Sequence, residues 1–362
     1  MKTIVILGGY GRAGRALVPL LIQETDAKLV LLGRDPVQAI QAAKDWNARF
    51  PGERVSGVSA DASDEASIKA ALQDAALVVV VSNTAEHTFL VASIALSFGL
   101  DYIDIQYSSR KLEILRSLKP ELERAKVCFV TEAGLHPGLP SALVRHAAQE
   151  FEVLEKARVA LVCNPEGGLP RTGGADELMD SFREYEPLVW EGGVWRKLGF
   201  FGCCRPIELG EGFGRRSCAA LGSSEMTDLP RLVPTLKETG LWVAGFNAFT
   251  DWVLAPLAML LGRRMGGLFC WSTRAFQKRP YGNLLQLDAE GQDGGKKKTL
   301  RVTLSHADAY AFTAAALAAC ILQLLDRGAR QPGLHFMGHL VQPARLLRDM
   351  ERMGVKVVKQ AS

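Results

Sequence analysis

Two hydrophobic patterns alternate through the first 130 residues of the 362-residue chain. Strand-like runs sit in residues 3–7, Lys28–Leu32, Val55–Val58, Leu77–Val81, Asp101–Ile105 and Val127–Val130, of which Leu77–Val81 is continuously apolar. Between them, apolar residues recur at helical spacing over Arg12–Glu24, Pro36–Phe50, Ala66–Leu72, Glu86–Phe98 and Ser109–Ala125. Runs without polar alternation predict strands buried on both faces, and strands separated by helices predict a parallel sheet covered on both sides. After Glu132 the pattern changes. The Gly/Pro-punctuated run Gly134–Pro140 opens a helix to about Glu150. Strand-like runs at Ala157–Cys163, Leu284–Leu287 and Thr299–Leu304 then mix with Gly-rich loops. An Ala/Leu-rich helix covers Ala309–Leu325, another helix Pro343–Met353, and a short strand Val355–Val358.

The first strand runs into Gly9-Tyr10-Gly11-Arg12-Ala13-Gly14, with a helix directly behind it. In that setting the glycine pattern signals dinucleotide binding. Gly9 permits the turn, Gly11 admits a pyrophosphate close to the backbone, and Gly14 lets helix and sheet pack closely. Arg12 and Ala13 stand at the helix opening, whose N–H groups attract phosphate. The fold class expected is α/β: a Rossmann-type doubly wound parallel sheet, plus a second α+β domain with a mixed sheet. Residues 1–135 form the nucleotide domain and 136–339 a substrate and dimerisation domain, with 340–362 packing back on the first.

The second strand ends at Gly33-Arg34-Asp35, where NAD-binding folds carry an acidic residue for the ribose. Gly33 would leave room for a 2′-phosphate and Arg34 would bind it, which favours NADP over NAD. The other reading has Asp35 holding the ribose. Asp61 ends the third strand, placed to accept the adenine amino group or to join Asp64 at a helix N-cap. Ser82, Asn83 and Thr84 follow the fourth strand and would border the nicotinamide ribose.

Apolar content of 48% and charged content of 23% suit a globular protein. The net charge of +4, without a basic stripe, gives no reason to expect nucleic acid. Lys296-Lys297-Lys298 reads as a solvated hairpin tip. The seven cysteines lack metal-ligand spacing, so no metal is expected, and they read as reduced thiols of a cytoplasmic protein. The N-terminus reads as a strand and not a signal peptide. Leu241–Gly262 is long and apolar enough to suggest a membrane span. Asn247, Asp251 and Pro256 argue instead for a buried or interface helix pair, an apolar substrate wall, or a membrane-surface patch.

Several pieces in order make the chain resemble the saccharopine dehydrogenase family. They are Gly8–Gly14, Ala60–Asp64, Asp104-Ile105-Gln106-Tyr107, Glu132–Ser141, Gln331-Pro332-Gly333, Leu346-Leu347 and Met353-Gly354-Val355. Better-known members commonly have an Asp before the Pro-Gly, where this chain has His136. The resemblance implies the fold and a nicotinamide cofactor, and hence an NAD(P)-dependent oxidoreductase. The expected reaction is hydride transfer at a carbon–nitrogen bond of a small, amino-acid-derived substrate. Tyr107 and His136, both on loops at the carboxyl edge, are the candidates for proton handling. Gly134 and Gly138 would let backbone approach the nicotinamide, or serve as plain turn and cap glycines. Arg171, in a Gly-flanked loop, would capture a substrate carboxylate. Arg205, Arg215, Arg216 and Arg274 are further cations for that role, and Ser223-Ser224-Glu225 would face the cleft. A homodimer is expected. Two alternatives stand: an enoyl or carbonyl reductase with a pocket of Phe246, Phe249, Trp252, Leu254, Leu257 and Leu260, or a non-catalytic NADP-binding sensor or scaffold.

Overall fold

In the computed structural model the chain divides into two compact units, Met1–Pro137 with Thr313–Gln342 and Gly138–Phe312 with Pro343–Ser362. The structure describes residues 2–171, 173–199 and 202–362, so Thr172 of the Arg171 loop lies outside it. In chain order the strands begin with β1 (Thr3–Leu7), β2 (Lys28–Gly33), β3 (Val55–Ser59), β4 (Leu77–Val80), β5 (Asp101–Asp104) and β6 (Cys128–Thr131). Next come β7 (Val153–Asn164), β8 (Leu188–Glu191), β9 (Val194–Lys197), β10 (Cys204–Leu209) and β11 (Gly214–Leu221). The last five are β12 (Glu238–Ala244), β13 (Gly282–Asp293), β14 (Lys296–His306), β15 (Gly333–Phe336) and β16 (Lys356–Ala361).

The first unit is built on a seven-stranded sheet in the order β15-β6-β5-β4-β1-β2-β3. Every pairing in it is parallel. The order changes direction at β1, the position where ligands bind such sheets. Ile4, Val5 and Ile6 are buried because helices cover both faces of the sheet. Helix α1 (Arg12–Glu24) buries Ala13, Gly14, Leu17, Val18, Leu21 and Ile22, one stripe at three- and four-residue spacing. Helix α2 (Pro36–Arg49) starts on Asp35, whose carboxylate accepts the N–H groups of Val37 and Gln38, with Pro36 in the first turn. The helix expected over Ser109–Ala125 is two helices, Ser109–Ser117 and Lys119–Ala125. Pro120 lacks an N–H to continue the first and instead opens the second.

The returning segment differs from expectation. Residues 313–342 rejoin the first unit and supply β15, which pairs with β6 from Gly333↔Cys128 to Phe336↔Thr131. Residues 343–362 belong to the second unit, where β16 pairs antiparallel with β14. The polar/apolar mixture of Lys356-Val357-Val358-Lys359 suits an exposed edge of an antiparallel sheet, not a buried parallel one. The division at 137/138 also falls two residues beyond the expected one.

The second unit carries a nine-stranded mixed sheet, with β10-β11-β12-β7-β13-β14-β16 in order and β8 and β9 attached at β12. Only the β12–β7 pairing is parallel among the described strands. Hairpin β13–β14 turns at Gly294-Gly295, both at positive φ, with Lys296 directly after the turn. None of the seven cysteines forms a disulfide. Residues 241–244 of the apolar stretch belong to β12, and the rest leads into helical turns from Thr250 to Ala275.

Candidate dinucleotide site

Between β1 and α1 the glycines do distinct jobs. Gly8 stands at φ +88°, and a Cβ there would lie 2.8 Å from Ser82 Cβ. A Cβ on Gly14 would lie 2.4 Å from Gly8 O, so its absence lets α1 close on the turn. A Cβ on Gly9 would lie 2.9 Å from Leu31. Gly11 is different: its Cβ would approach only Gly8 O, at 3.1 Å, so the rest of its surroundings is open. Gly11 is the N-cap of α1, with no side-chain cap and no acidic residue in the first turn. The helix opening thus offers backbone N–H groups and a partial positive charge to an anion. The loop Gly9-Tyr10-Gly11-Arg12-Ala13-Gly14 fits a dinucleotide diphosphate on this geometry.

Gly33 has another reason to be glycine than the one expected. A Cβ there would lie 2.3 Å from the Tyr10 ring, so the space belongs to Tyr10 and not to a 2′-phosphate. The Tyr10 Oη accepts the Asp35 N–H at 3.0 Å, which fixes the ring across the end of β2. The Asp35 carboxylate is engaged on α2, accepting from Val37 N, Gln38 N and Gln38 Nε2. These bonds hold it below the usual carboxylate range and leave it poorly placed to take a ribose. Arg34 is exposed beside them, near enough to Asp61 to help lower that carboxyl.

Asp61 does not cap the following helix. Its Oδ1 accepts Ser63 N at 2.9 Å and Ser63 Oγ at 2.8 Å, while Asp64 provides the cap through Ala66 N. Ser82 Oγ and Thr84 Oγ1 are 2.9 Å apart, and Gln106 Nε2 donates to Ser82 O at 2.7 Å. Gln106 is buried, and its Oε1 has no partner among the described residues. Loop 82–84, with Asn83 at its centre, therefore abuts the glycine turn on one side and Gln106 on the other.

A buried ion pair supports this edge, and the sequence pattern did not reveal it. Lys111 and Asp104 are both fully buried. Lys111 Nζ donates to Asp104 Oδ1 at 2.8 Å, to Thr131 Oγ1 at 2.6 Å and to Gln106 O at 2.5 Å. Thr131 Oγ1 reaches Asp104 as well, at 3.0 Å. The carboxyl ends of β5 and β6 and the loop leading to Tyr107 are tied to one ammonium group.

The Tyr107 and His136 rings lie 5.9 Å apart, centroid to centroid. Burial pushes His136 down to about 4, and its Nδ1 has no partner among the described residues. The imidazole is neutral near pH 7, which corrects the expectation of a histidine titrating in that range. Glu132, just before it, is buried and holds φ +58°, a conformation uncommon outside glycine. Gly134 is a turn glycine: its N–H donates to Pro137 O at 3.0 Å, and a Cβ would meet Thr313 at 3.3 Å.

In the second unit, Arg171 is exposed, its guanidinium beside Gly267. Arg205 stacks on Trp242 at 3.6 Å and pairs with Glu238, a structural role. Glu225 is buried and takes the start of the helix Leu139–Ala148, accepting Gly138 N, Ser141 N and Ser141 Oγ. Burial outweighs those bonds and lifts it to about 7. The six residues expected to form an apolar pocket do not share a wall. Leu254 is core, whereas Phe249, Trp252, Leu257 and Leu260 are exposed. Among the described residues no three His, Cys, Asp or Glu side chains gather as a metal site.

Residues 4–130 match the family model of the saccharopine dehydrogenase NADP binding domain. The match covers about a third of the chain and assigns this family to the first domain alone. The matched domain binds NADP in that family, so NADP is the cofactor of this domain. The solved apo saccharopine dehydrogenase (L-Glu forming) from Saccharomyces cerevisiae has the same fold, with a TM-score of 0.74, 14% identity and 100% of each chain covered. A mutant meso-dapdh with DAP from Clostridium tetani is similar at TM-score 0.48, with 12% identity and 96% of each chain covered. An engineered D-amino acid dehydrogenase bound to NADP+ is similar at TM-score 0.48, with 13% identity and 95% of each chain covered. No curated protein sequence matches the chain.

Proposed function

We propose that the chain carries out reversible hydride transfer between NADP and a carbon–nitrogen bond of an amino-acid-derived small molecule that bears a carboxylate. The observation that carries this reading is the glycine turn that opens α1 at Gly11, with no acidic residue in the first turn, in a domain of the saccharopine dehydrogenase NADP-binding type. The substrate class comes from the yeast saccharopine dehydrogenase, whose fold extends over both units. NADP supplies the hydride chemistry when bound. The Gly9–Gly14 turn holds the diphosphate, Arg34 the 2′-phosphate and Asp61 the adenine edge. Ser82, Asn83 and Thr84 border the ribose nearer the nicotinamide, and Gly134 keeps the adjoining turn compact. Tyr107 is the group for a proton on the substrate nitrogen. His136, neutral in its buried setting, orients by hydrogen bonding and does not carry charge. Arg171 anchors a carboxylate.

The test follows NADPH absorbance in a screen of amino acids paired with keto acids, and NADP reduction in a screen of secondary amines. Turnover in either supports the reading. Turnover confined to apolar enoyl or carbonyl compounds overturns the substrate class. Tight NADPH binding without turnover in any screen overturns the enzyme.

A further inference from the structure

We propose that the second unit carries a membrane-docking face whose occupant is a bilayer surface with anionic phospholipid headgroups. The face starts from spacing. Phe249, Trp252, Val253, Leu257, Leu260 and Leu261 are exposed at steps of three and four, which align them along one side of the helical turns. On the opposite side Thr250, Leu254 and Ala258 are buried, the latter two in a core with Met179, Met265 and Phe269. Helix Gly266–Ala275 repeats the division, with Leu268 and Trp271 outward and Phe269, Cys270 and Thr273 inward. Phe276 bridges the two stretches, its ring 6.0 Å from Phe249 and 5.7 Å from Trp271. Nine of the sixteen large apolar side chains exposed among the described residues fall within 249–276. Single exposed apolar residues are ordinary, but a contiguous patch marks a docking surface.

Charge selects the occupant. Arg183, Arg264, Arg274, Lys278 and Arg279 are exposed in or beside this segment, Arg183 against Gly262. Two nearby carboxylates are engaged: Asp251 accepts Phe246 N, and Asp180 clamps Arg263 through both oxygens. A second copy of the same face would bring these cations together, whereas anionic headgroups neutralise them. The outward Trp252 and Trp271 suit the headgroup boundary. Thr250–Ala275, at 26 residues, is long and apolar enough to cross a bilayer. It is nonetheless interrupted by a π-helical turn over Thr250–Leu254, by Pro256 and by Gly262 at φ +56°, and its inner side is core. Such a segment lies in the interface plane instead of spanning.

Vesicle flotation of the full-length protein tests this, independently of the oxidoreductase reading. Phosphatidylcholine vesicles with about 30% phosphatidylglycerol should float it at least ~10-fold better than phosphatidylcholine alone, and about 1 M salt should erase the difference. The double variant Trp252→Glu/Leu260→Glu should lower binding by ~100-fold. Arg264→Glu/Lys278→Glu should abolish the preference for phosphatidylglycerol. Quenching of tryptophan fluorescence by brominated acyl chains reads the same contact in the unaltered protein. Absence of both flotation and quenching, or binding indifferent to both variants, overturns the proposal. So does a dimer in gel filtration that Trp252→Glu/Leu260→Glu splits, which would assign the face to a second copy.

Discussion

Two helices of this molecule start behind a glycine, one in each unit, and their openings are treated in opposite ways. The helix after Gly138 receives a carboxylate from its own chain, with Glu225 accepting the Gly138 N–H at 2.8 Å and the Ser141 N–H at 3.2 Å. Helix α1 starts behind Gly11, which has no side chain to cap it, and carries no acidic residue in its first turn. The requirement is the same at both places, because first-turn N–H groups seek an anion. Where the chain supplies that anion the opening is structural. Where the first turn holds no carboxylate, the opening suits a diphosphate. The buried carboxylates form a matching contrast. Asp104 is paired with the Lys111 ammonium, whereas Glu225 accepts from two backbone N–H groups and a hydroxyl.

The sharpest way to break the second contrast is Lys111→Met. It strands Asp104 without its cation and should cost about 3–5 kcal/mol of stability, read by urea denaturation. A loss under about 1 kcal/mol would show that the ammonium does not hold the edge together. Next comes Gly11→Val. Filling the open side of the turn should weaken NADPH binding ~100-fold, about 3 kcal/mol, while the fold persists. Unchanged affinity in a fluorescence titration would place the dinucleotide elsewhere.

Acidity provides a subtler test. Glu225 stands at about 7 folded against 4.5 for an ordinary glutamate, so the folded chain binds the extra proton between those values. Its contribution is complete below pH 4.5 and is lost as pH rises through about 7. His136 works the other way, at about 4 folded against 6.5, so the unfolded chain binds the extra proton. Its contribution is complete above pH 6.5 and is lost as pH falls through about 4. The two slopes oppose each other, and Glu225→Gln should unmask a stability that climbs by up to about 1.4 kcal/mol per pH unit between about pH 5 and 6. A flat profile in the variant would remove the argument for a neutral His136. The smallest effect is expected from Arg34→Ala, roughly 10-fold weaker NADPH with NADH little changed, since one exposed cation is lost. Equal loss for both nucleotides would end the 2′-phosphate role.

Six strands of the first sheet could be read from the sequence because short strand-like runs alternate with helical spacing, and the central run Leu77–Val80 is unbroken and apolar, as a doubly covered strand needs. β15 could not, since Gly-Leu-His-Phe is four residues long and carries a histidine. The glycine turn was legible for the same reason it works: each missing Cβ answers a local contact. Gly33 shows the limit, because its contact is the Tyr10 ring, 23 positions earlier in the chain. Lys111 reads as one more polar residue on an amphipathic helix, and its partners Asp104 and Thr131 are 7 and 20 positions away. The burial that silences His136 likewise depends on tertiary surroundings that no local pattern encodes.

The late arrival of β15 has a consequence for biosynthesis. Its neighbour β6 is complete at Thr131, yet the ribosome must add about 200 more residues before Gly333 emerges. Until then the N-terminal sheet has an unpaired flank at β6, open to aggregation or to a chaperone. A gene truncated after residue 137 would leave that flank permanently bare.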